Sequence, residues 1–219
     1  MKYSKDGLVC FDPVKHTYTH KDGRVLEGVT SYIKRHTNIF DADLQSKKYA
    51  AKHGLEQSEV LAAWKEKAEV SRNNGTAVHE VLESYCNTGK ILVYGICEKE
   101  KVAVKFIKDF FQTRLTPIET ELIVYNDHVA SQIDCIARNT QGEYFILDWK
   151  TNAEIKKDGW GRTMLSPYNH LPDASYYHYS LQLAIYKSLC PYEIKDSFIV
   201  HFLENDYSIL SPQLIKVIF

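Results

Sequence analysis

Ser131-Gln132-Ile133-Asp134 and, beyond a turn at Asn139-Thr140-Gln141-Gly142, Asp148-Trp149-Lys150-Thr151 form the stretch from which the rest of this chain can be read. Ser131 to Arg138 is β-branched and apolar, the turn has the Asn and Gly that reversals need, and Glu143 to Trp149 is aromatic and aliphatic. The pattern predicts a hairpin. If it closes between Thr140 and Gln141, Asp134 faces Leu147 or Asp148, which brings two acids together across the ladder. Asp148 and Lys150 are two apart on one strand and share a face.

Two aspartates forced together repel, and each loses hydration if it is partly buried. A divalent cation removes both penalties, and carboxylate oxygens suit Mg²⁺ or Mn²⁺. Lys150 beside such an ion could hold a water or offset negative charge developing on a phosphate. The plainer alternative is a surface Asp–Lys pair on a half-exposed strand, so the reading needs support from elsewhere in the chain.

At 219 residues, 44% hydrophobic and 25% charged, the chain has enough apolar material for one sizeable core, with or without an inserted lobe. Its net charge of −1 does not advertise a polyanionic partner, so any basic surface must be local. The five cysteines show no Cys-x-x-Cys spacing, which argues against a zinc site or an iron–sulfur cluster. With no signal peptide apparent, they read as reduced thiols in a cytoplasmic protein. No apolar run approaches the roughly 18 residues that a membrane span needs. The fifteen tyrosines serve equally as core material or as stacking surfaces for bases.

Residues 8–29 read as a hairpin turning at Lys21-Asp22-Gly23, and Val29-Thr30-Ser31 leads into a short helix with Lys34 and Arg35 on one face. Asp41 is placed to cap a helix ending near Gly54, and Ser58 a second one reaching about Val70. Gly75 opens the next helix, with Gly75, His79 and Glu83 four apart on one face. Such a His/Glu pair is either a metal-binding arrangement or a structural histidine beside an exposed acid. Residues 98–114 form an amphipathic helix, with Val102, Phe106, Ile107 and Phe110 inward and Lys99, Lys101, Lys105, Lys108 and Arg114 mostly outward. Glu121 begins a strand to Tyr125 and is a further carboxylate that could bind a metal or stand behind one.

From Asn152 to Ala174 the chain has no periodic pattern, and so long an irregular segment marks a functional loop. Lys156, Lys157, Trp160, Arg162, Tyr168 and His170 in it suit phosphates and bases. Ser175 to Cys190 is a helix with Gln182 and Tyr186 at i and i+4, Phe198 to Leu203 a buried strand, and Tyr207 to Phe219 holds another strand or two.

Three signatures thus stand in order: Gly75-x-x-x-His79-x-x-x-Glu83, Asp134 followed by Asp148-x-Lys150, and Gln182-x-x-x-Tyr186. This succession resembles the PD-(D/E)XK nuclease superfamily in its RecB-type exonuclease branch, over about residues 70–205. Where that family often carries glycine three residues before the first acid, this chain has Ser131. The resemblance implies that His79, Asp134, Asp148 and the Trp149 carbonyl bind one or two Mg²⁺ or Mn²⁺ ions. It further implies that Lys150 is catalytic, that Glu83 sits beside the metal, and that Gln182 and Tyr186 position the strand or Lys150, with Lys156 and Arg162 as further substrate contacts. No iron–sulfur cluster is expected, since the clustered cysteines of some members are missing.

The implied fold is α/β: a mixed central sheet from residues 121–150 and 197–203, flanked by helices at 73–87, 98–114 and 175–190 in a restriction-endonuclease-like core. Residues 1–72 would add an N-terminal hairpin and a helical arch over the site, packed on the 73–219 core. The implied function is a metal-dependent DNA exonuclease acting on single-stranded ends. The alternatives are an endonuclease or nickase of the same superfamily, or a nucleic-acid-binding module with a degenerate site.

Overall fold

The computed structural model describes residues 1–219 and contains a nine-stranded mixed sheet with five helices. In chain order these are β1 (Lys2–Tyr3), β2 (Val9–Asp12), β3 (Thr17–His20), β4 (Val25–Gly28), α1 (Val29–Arg35), α2 (Ala42–His53), α3 (Gln57–Thr88), α4 (Lys99–Phe106), β5 (Leu115–Tyr125), β6 (Val129–Asn139), β7 (Tyr144–Lys150), α5 (Ser175–Leu189), β8 (Ile194–Phe202) and β9 (Tyr207–Leu210).

The central hairpin forms as its turn chemistry requires. Asn139 Oδ1 accepts from the N–H groups of Gln141 and Glu143, and Gly142 takes a φ of 85° that a side chain would resist. The pairs Cys135–Leu147, Ile136–Ile146 and Ala137–Phe145 set the register that points Asp134 toward Asp148 rather than Leu147.

β6 is the hub of the sheet. β5 pairs antiparallel along nearly all of it, β7 antiparallel at its far half, and β4 parallel at Val129 and Ala130. A strand has only two edges, so β4 and β7 share the one that β5 leaves. The backbone from Ser131 to Asp134 lies between them without a ladder partner on that edge, and the acidic site is built at this gap. β8 joins β7 in parallel and β9 closes the far edge.

Strand residues feed two cores, one on each face of the sheet, in regular alternation along β7 and β8 but not in β6, where Ile133 and Ile136 share one core and Cys135 enters the other. Ile133, Ile136, Ile146 and Ile199 pack with α1, α5 and the loop residues Met164 and Tyr168. Cys135, Leu147, Trp149, Val200 and Phe202 pack with Val78, Val81 and Leu82 of α3 and Val102 and Phe106 of α4.

Several expectations are corrected. The opening segment is a four-stranded meander rather than one hairpin, and β4 joins it to the central sheet. The helices expected near 58–70 and from Gly75 are one 32-residue helix, α3, so the division between residues 72 and 73 falls inside it. Asn73-Asn74-Gly75 is a poor helix former, but at Gly75 α3 passes close to the residue that follows β7: a Cβ there would lie 3.0 Å from Thr151 Oγ1. Of the segment 30–72, α1 belongs to the core through Tyr32 and Ile33, and only α2 with the first half of α3 stands out as a helical pair. Asp41 caps α2 by accepting from Leu44 N–H at 2.9 Å, and Gly54 ends it in the left-handed region, as expected.

Lys99 is not outward. Its side chain is 6% exposed, its Nζ donates to the Thr151 carbonyl at 2.7 Å, and it lies 3.3 Å from Glu204. α4 ends at Phe106 and passes into a π-helical turn, Ile107–Phe111, before β5 begins at Leu115, earlier than expected. No helix is long and apolar enough to cross a membrane.

Candidate metal centre

α3 presents His79 to the gap in the sheet because Val78, Val81 and Leu82 anchor the neighbouring faces of the helix. There the donor atoms of His79, Glu121 and Asp134 all lie within 4.8 Å of one another. His79 Nδ1 is 3.9 Å from Asp134 Oδ1. The other Asp134 oxygen accepts from Trp149 N–H at 2.7 Å, which ties the acid to the end of β7 and leaves Oδ1 directed at the imidazole.

Glu121 reaches this group by an unusual route. It has a φ of 50°, and the β5–β6 ladder passes from Thr120–Cys135 to Leu122–Ile133 without pairing it. Left-handed backbone in mid-strand is uncommon for any residue but glycine. The sequence marks Glu121 only as a spare carboxylate; its backbone conformation has no sequence signal.

Asp148 and Lys150 form a buried ion pair beside the triad, with Asp148 1% exposed. Asp148 Oδ2 meets the Lys150 ammonium directly. Burial pushes the Asp148 carboxyl up to about 6 despite the opposing charge of Lys150. Burial alone would lower the Lys150 ammonium, but Asp148 and Asp134 outweigh it and hold the group above its ordinary value. The ammonium also sits 4.7 Å above the centre of the Tyr179 ring.

Burial likewise raises Asp134, against the pull of Lys150 and the Trp149 N–H. Glu121 is raised by burial and then by Asp134. His79 is lowered by burial and by Lys150, which keeps the imidazole neutral and its lone pair free. One imidazole and two carboxylates whose donor atoms lie within 4.8 Å of one another fit a small divalent ion, Mn²⁺ tolerating the nitrogen better than Mg²⁺.

The other expected residues divide clearly. Glu83 stands at the rim, 3.8 Å from Lys2, which also lies 3.7 Å from Glu121. The Trp149 carbonyl lies against the His79 imidazole and its ring is buried. Gln182 Nε2 donates to the Tyr186 hydroxyl at 2.7 Å, and that hydroxyl is 3.1 Å from Ser131 Oγ. Tyr186 is buried and so braces the gap from beneath rather than meeting a ligand. Ser131 thus supplies a hydroxyl that glycine could not. Lys156 and Arg162 are exposed on the irregular loop and line neither of the clefts described next.

Two clefts open on the site. One, of about 1010 Å³, is lined by His79, Glu83, Glu121, Arg72 and Gln132. The other, of about 370 Å³, lies on the α1–α5 side of Lys150 with Lys34, Tyr179 and Gln182. Two residues not anticipated hold the backbone beyond Lys150: Lys99 on the Thr151 carbonyl, and His201 Nε2 on the Asn152 carbonyl at 2.6 Å. Compared with family models and with curated proteins, the chain matches none.

Proposed function

We propose that this chain is a metal-dependent deoxyribonuclease of PD-(D/E)XK type that hydrolyses phosphodiester bonds, working as an exonuclease on single-stranded ends. The observation that carries the reading is the meeting of His79, Glu121 and Asp134 beside a buried Asp148–Lys150 pair, with His79 and Glu121 lining one open cleft and Lys150 the other. The α/β arrangement, with Glu121 and Asp134 in mid-strand on the adjacent antiparallel β5 and β6 and Asp148 near the end of β7, supports a restriction-endonuclease-like core.

His79, Glu121 and Asp134 would hold the cation, with Asp148 and the Trp149 carbonyl adjacent. When bound, Mg²⁺ or Mn²⁺ supplies a water of lowered pKa and polarises a phosphate oxygen. Lys150 stays charged at neutral pH, so its role is to orient the water and offset charge on the phosphate rather than to accept a proton. Asp148 and the Tyr179 face fix that ammonium, and Lys99 and His201 fix the backbone that follows it.

The test compares linear and covalently closed circular single-stranded DNA in Mg²⁺, Mn²⁺ and EDTA. Linear strands should be degraded with either cation and left intact in EDTA, and circles should survive. Cleavage in EDTA removes the metal mechanism, circles cut as fast as linear strands make the enzyme an endonuclease, and binding without cleavage leaves a nucleic-acid-binding module.

A further inference from the structure

The large cleft does not end at the metal centre. Trp64, Ala68, Ser71, Gly75 and His79 are spaced four, three, four and four along α3, so they share one face of a single continuous helix. Ala68, Ser71 and Gly75 line the same cleft as His79. At the outer end Trp64 meets two aromatic rings, Phe40 at 6.0 Å and Tyr49 at 6.1 Å between centroids. This cluster is not closed off: Phe40 is 66% exposed and Tyr49 45%. α2 buries only Ser46 and Ala50, so the rings are not there to pack the helical pair onto the core.

Charge is sorted about this face. Residues 41–72 carry six lysines and arginines against six acids, so the helical pair is neutral in bulk. Yet Glu59, Glu66 and Glu69 fall on the far side of α3 from Trp64 at about 100° per residue. Arg72 lines the outer part of the cleft, whose acids Glu80, Glu83 and Glu121 lie toward the metal centre, and Lys48 and Lys52 stand exposed beside Tyr49 on α2. Open aromatic rings edged by cations, continuous with a cleft that ends at a phosphodiester site, fit a chain carrying both stackable bases and phosphates. A second copy of this protein would instead need an apolar complement.

We infer that the Trp64-to-His79 face of α3, with Phe40 and Tyr49, is a track for single-stranded nucleic acid, bases stacking on the three rings and the backbone passing Arg72 toward the metal centre. The inference rests on the nuclease reading for its direction. Fifteen residues of helix span about 22 Å, or roughly six stacked nucleotides, so short strands cannot occupy both ends.

Binding is measured in EDTA, apart from catalysis, on the full chain carrying Trp160→Phe, which removes the exposed tryptophan of the loop and leaves two tryptophans, Trp64 and the buried Trp149. An oligothymidylate of about twelve nucleotides should quench the emission, whereas inorganic polyphosphate should not. Phe40→Ala and Tyr49→Ala should each weaken the long oligonucleotide about tenfold, leave a trinucleotide unaffected, and Tyr49→Phe should restore binding. Equal quenching by polyphosphate, unchanged affinity in both alanine variants, or a dimer in sedimentation that Phe40→Ala dissolves would overturn the track. If the long strand binds and quenches but no strand is cleaved with any cation, the nuclease reading fails and the track stands. If short strands are cleaved while the alanine variants bind normally, the track alone fails.

Discussion

Replacing Glu121 by Gln should stabilise the protein in EDTA and weaken its response to metal. Without a cation, Glu121 opposes folding twice: its carboxylate is buried against Asp134, and its backbone holds a φ of 50°. The substitution removes the charge and keeps the backbone, so the melting temperature in EDTA should rise. In Mn²⁺ the loss of a ligand should weaken binding at least tenfold, which removes about 1.4 kcal/mol of cation-linked stability. For a chain of this size that is about 3–6 °C of melting temperature. Glu121→Gly compared with Glu121→Gln, both of which lack the charge, isolates the backbone contribution. Left-handed geometry costs a non-glycine residue about 1–2 kcal/mol, partly offset by the entropy glycine loses on folding. A net gain of about 1 kcal/mol over Glu121→Gln in EDTA, or 2–4 °C, is therefore expected. Thermal melts followed by circular dichroism, in EDTA and across a Mn²⁺ titration, measure both. A lower melting temperature for Glu121→Gln in EDTA, or a Mn²⁺ response equal to that of the wild type, would refute the assignment of Glu121 to the cation site.

Lys150→Ala should lower turnover by two orders of magnitude or more while oligonucleotide affinity changes little, since it is one cation among several; single-turnover kinetics beside binding in Ca²⁺ separates the two, and normal turnover with lost binding would make Lys150 a phosphate anchor. The pH dependence should run in opposite directions with and without metal. Asp148 has its carboxyl raised from 3.8 to about 6 on folding, so the folded state takes up its proton first, and this residue makes the metal-free protein more stable as pH falls from about 6 toward 4, by up to about 3 kcal/mol. His79 opposes this, because its lowered pKa favours the unfolded state in acid, but it is a third exposed and contributes less. Mn²⁺-induced stabilisation should disappear over the same window as the acids protonate; denaturant melts from pH 4 to 8 would show both trends. Gly159→Ala should destabilise the loop, because a Cβ there would collide with the Arg162 carbonyl oxygen and stand 2.9 Å from Asp173 N; a cost of about 1–3 kcal/mol is readable as a lower melting temperature.

What sequence reveals of this fold is what local rules control. The Asn139–Gly142 turn follows from side chains that bond their own backbone, and it sets the β6–β7 register and thus the approach of Asp134 to Asp148. The cap at Asp41, the left-handed end at Gly54, the start of α1 at Val29 and the extent of α5 follow from spacings of a few residues. Local rules fail where a distant segment outbids propensity. Asn73-Asn74-Gly75 reads as a break, yet α3 runs through it, because its neighbouring apolar face is packed on the sheet and a small residue is needed beside Thr151. Lys99 reads as one more outward lysine, yet it is buried on the Thr151 carbonyl, a partner 52 residues away.

The same division runs through the candidate site. His79, Asp134, Asp148 and Lys150 stand out by residue type and spacing alone, since helix and strand periods say which side chains share a face. Which oxygen meets which partner was decided by tertiary structure: Asp148 turned to Lys150, Asp134 divided between Trp149 and His79, Tyr186 sunk beneath Ser131, and Glu121 swung in by a left-handed backbone. Periodicity fixes direction within one element, whereas the spacing between elements depends on how their buried faces fit. The gap in the sheet at Ser131–Asp134 exists only because β4 and β7 share one edge of β6 without meeting, a consequence of contacts between segments a hundred residues apart.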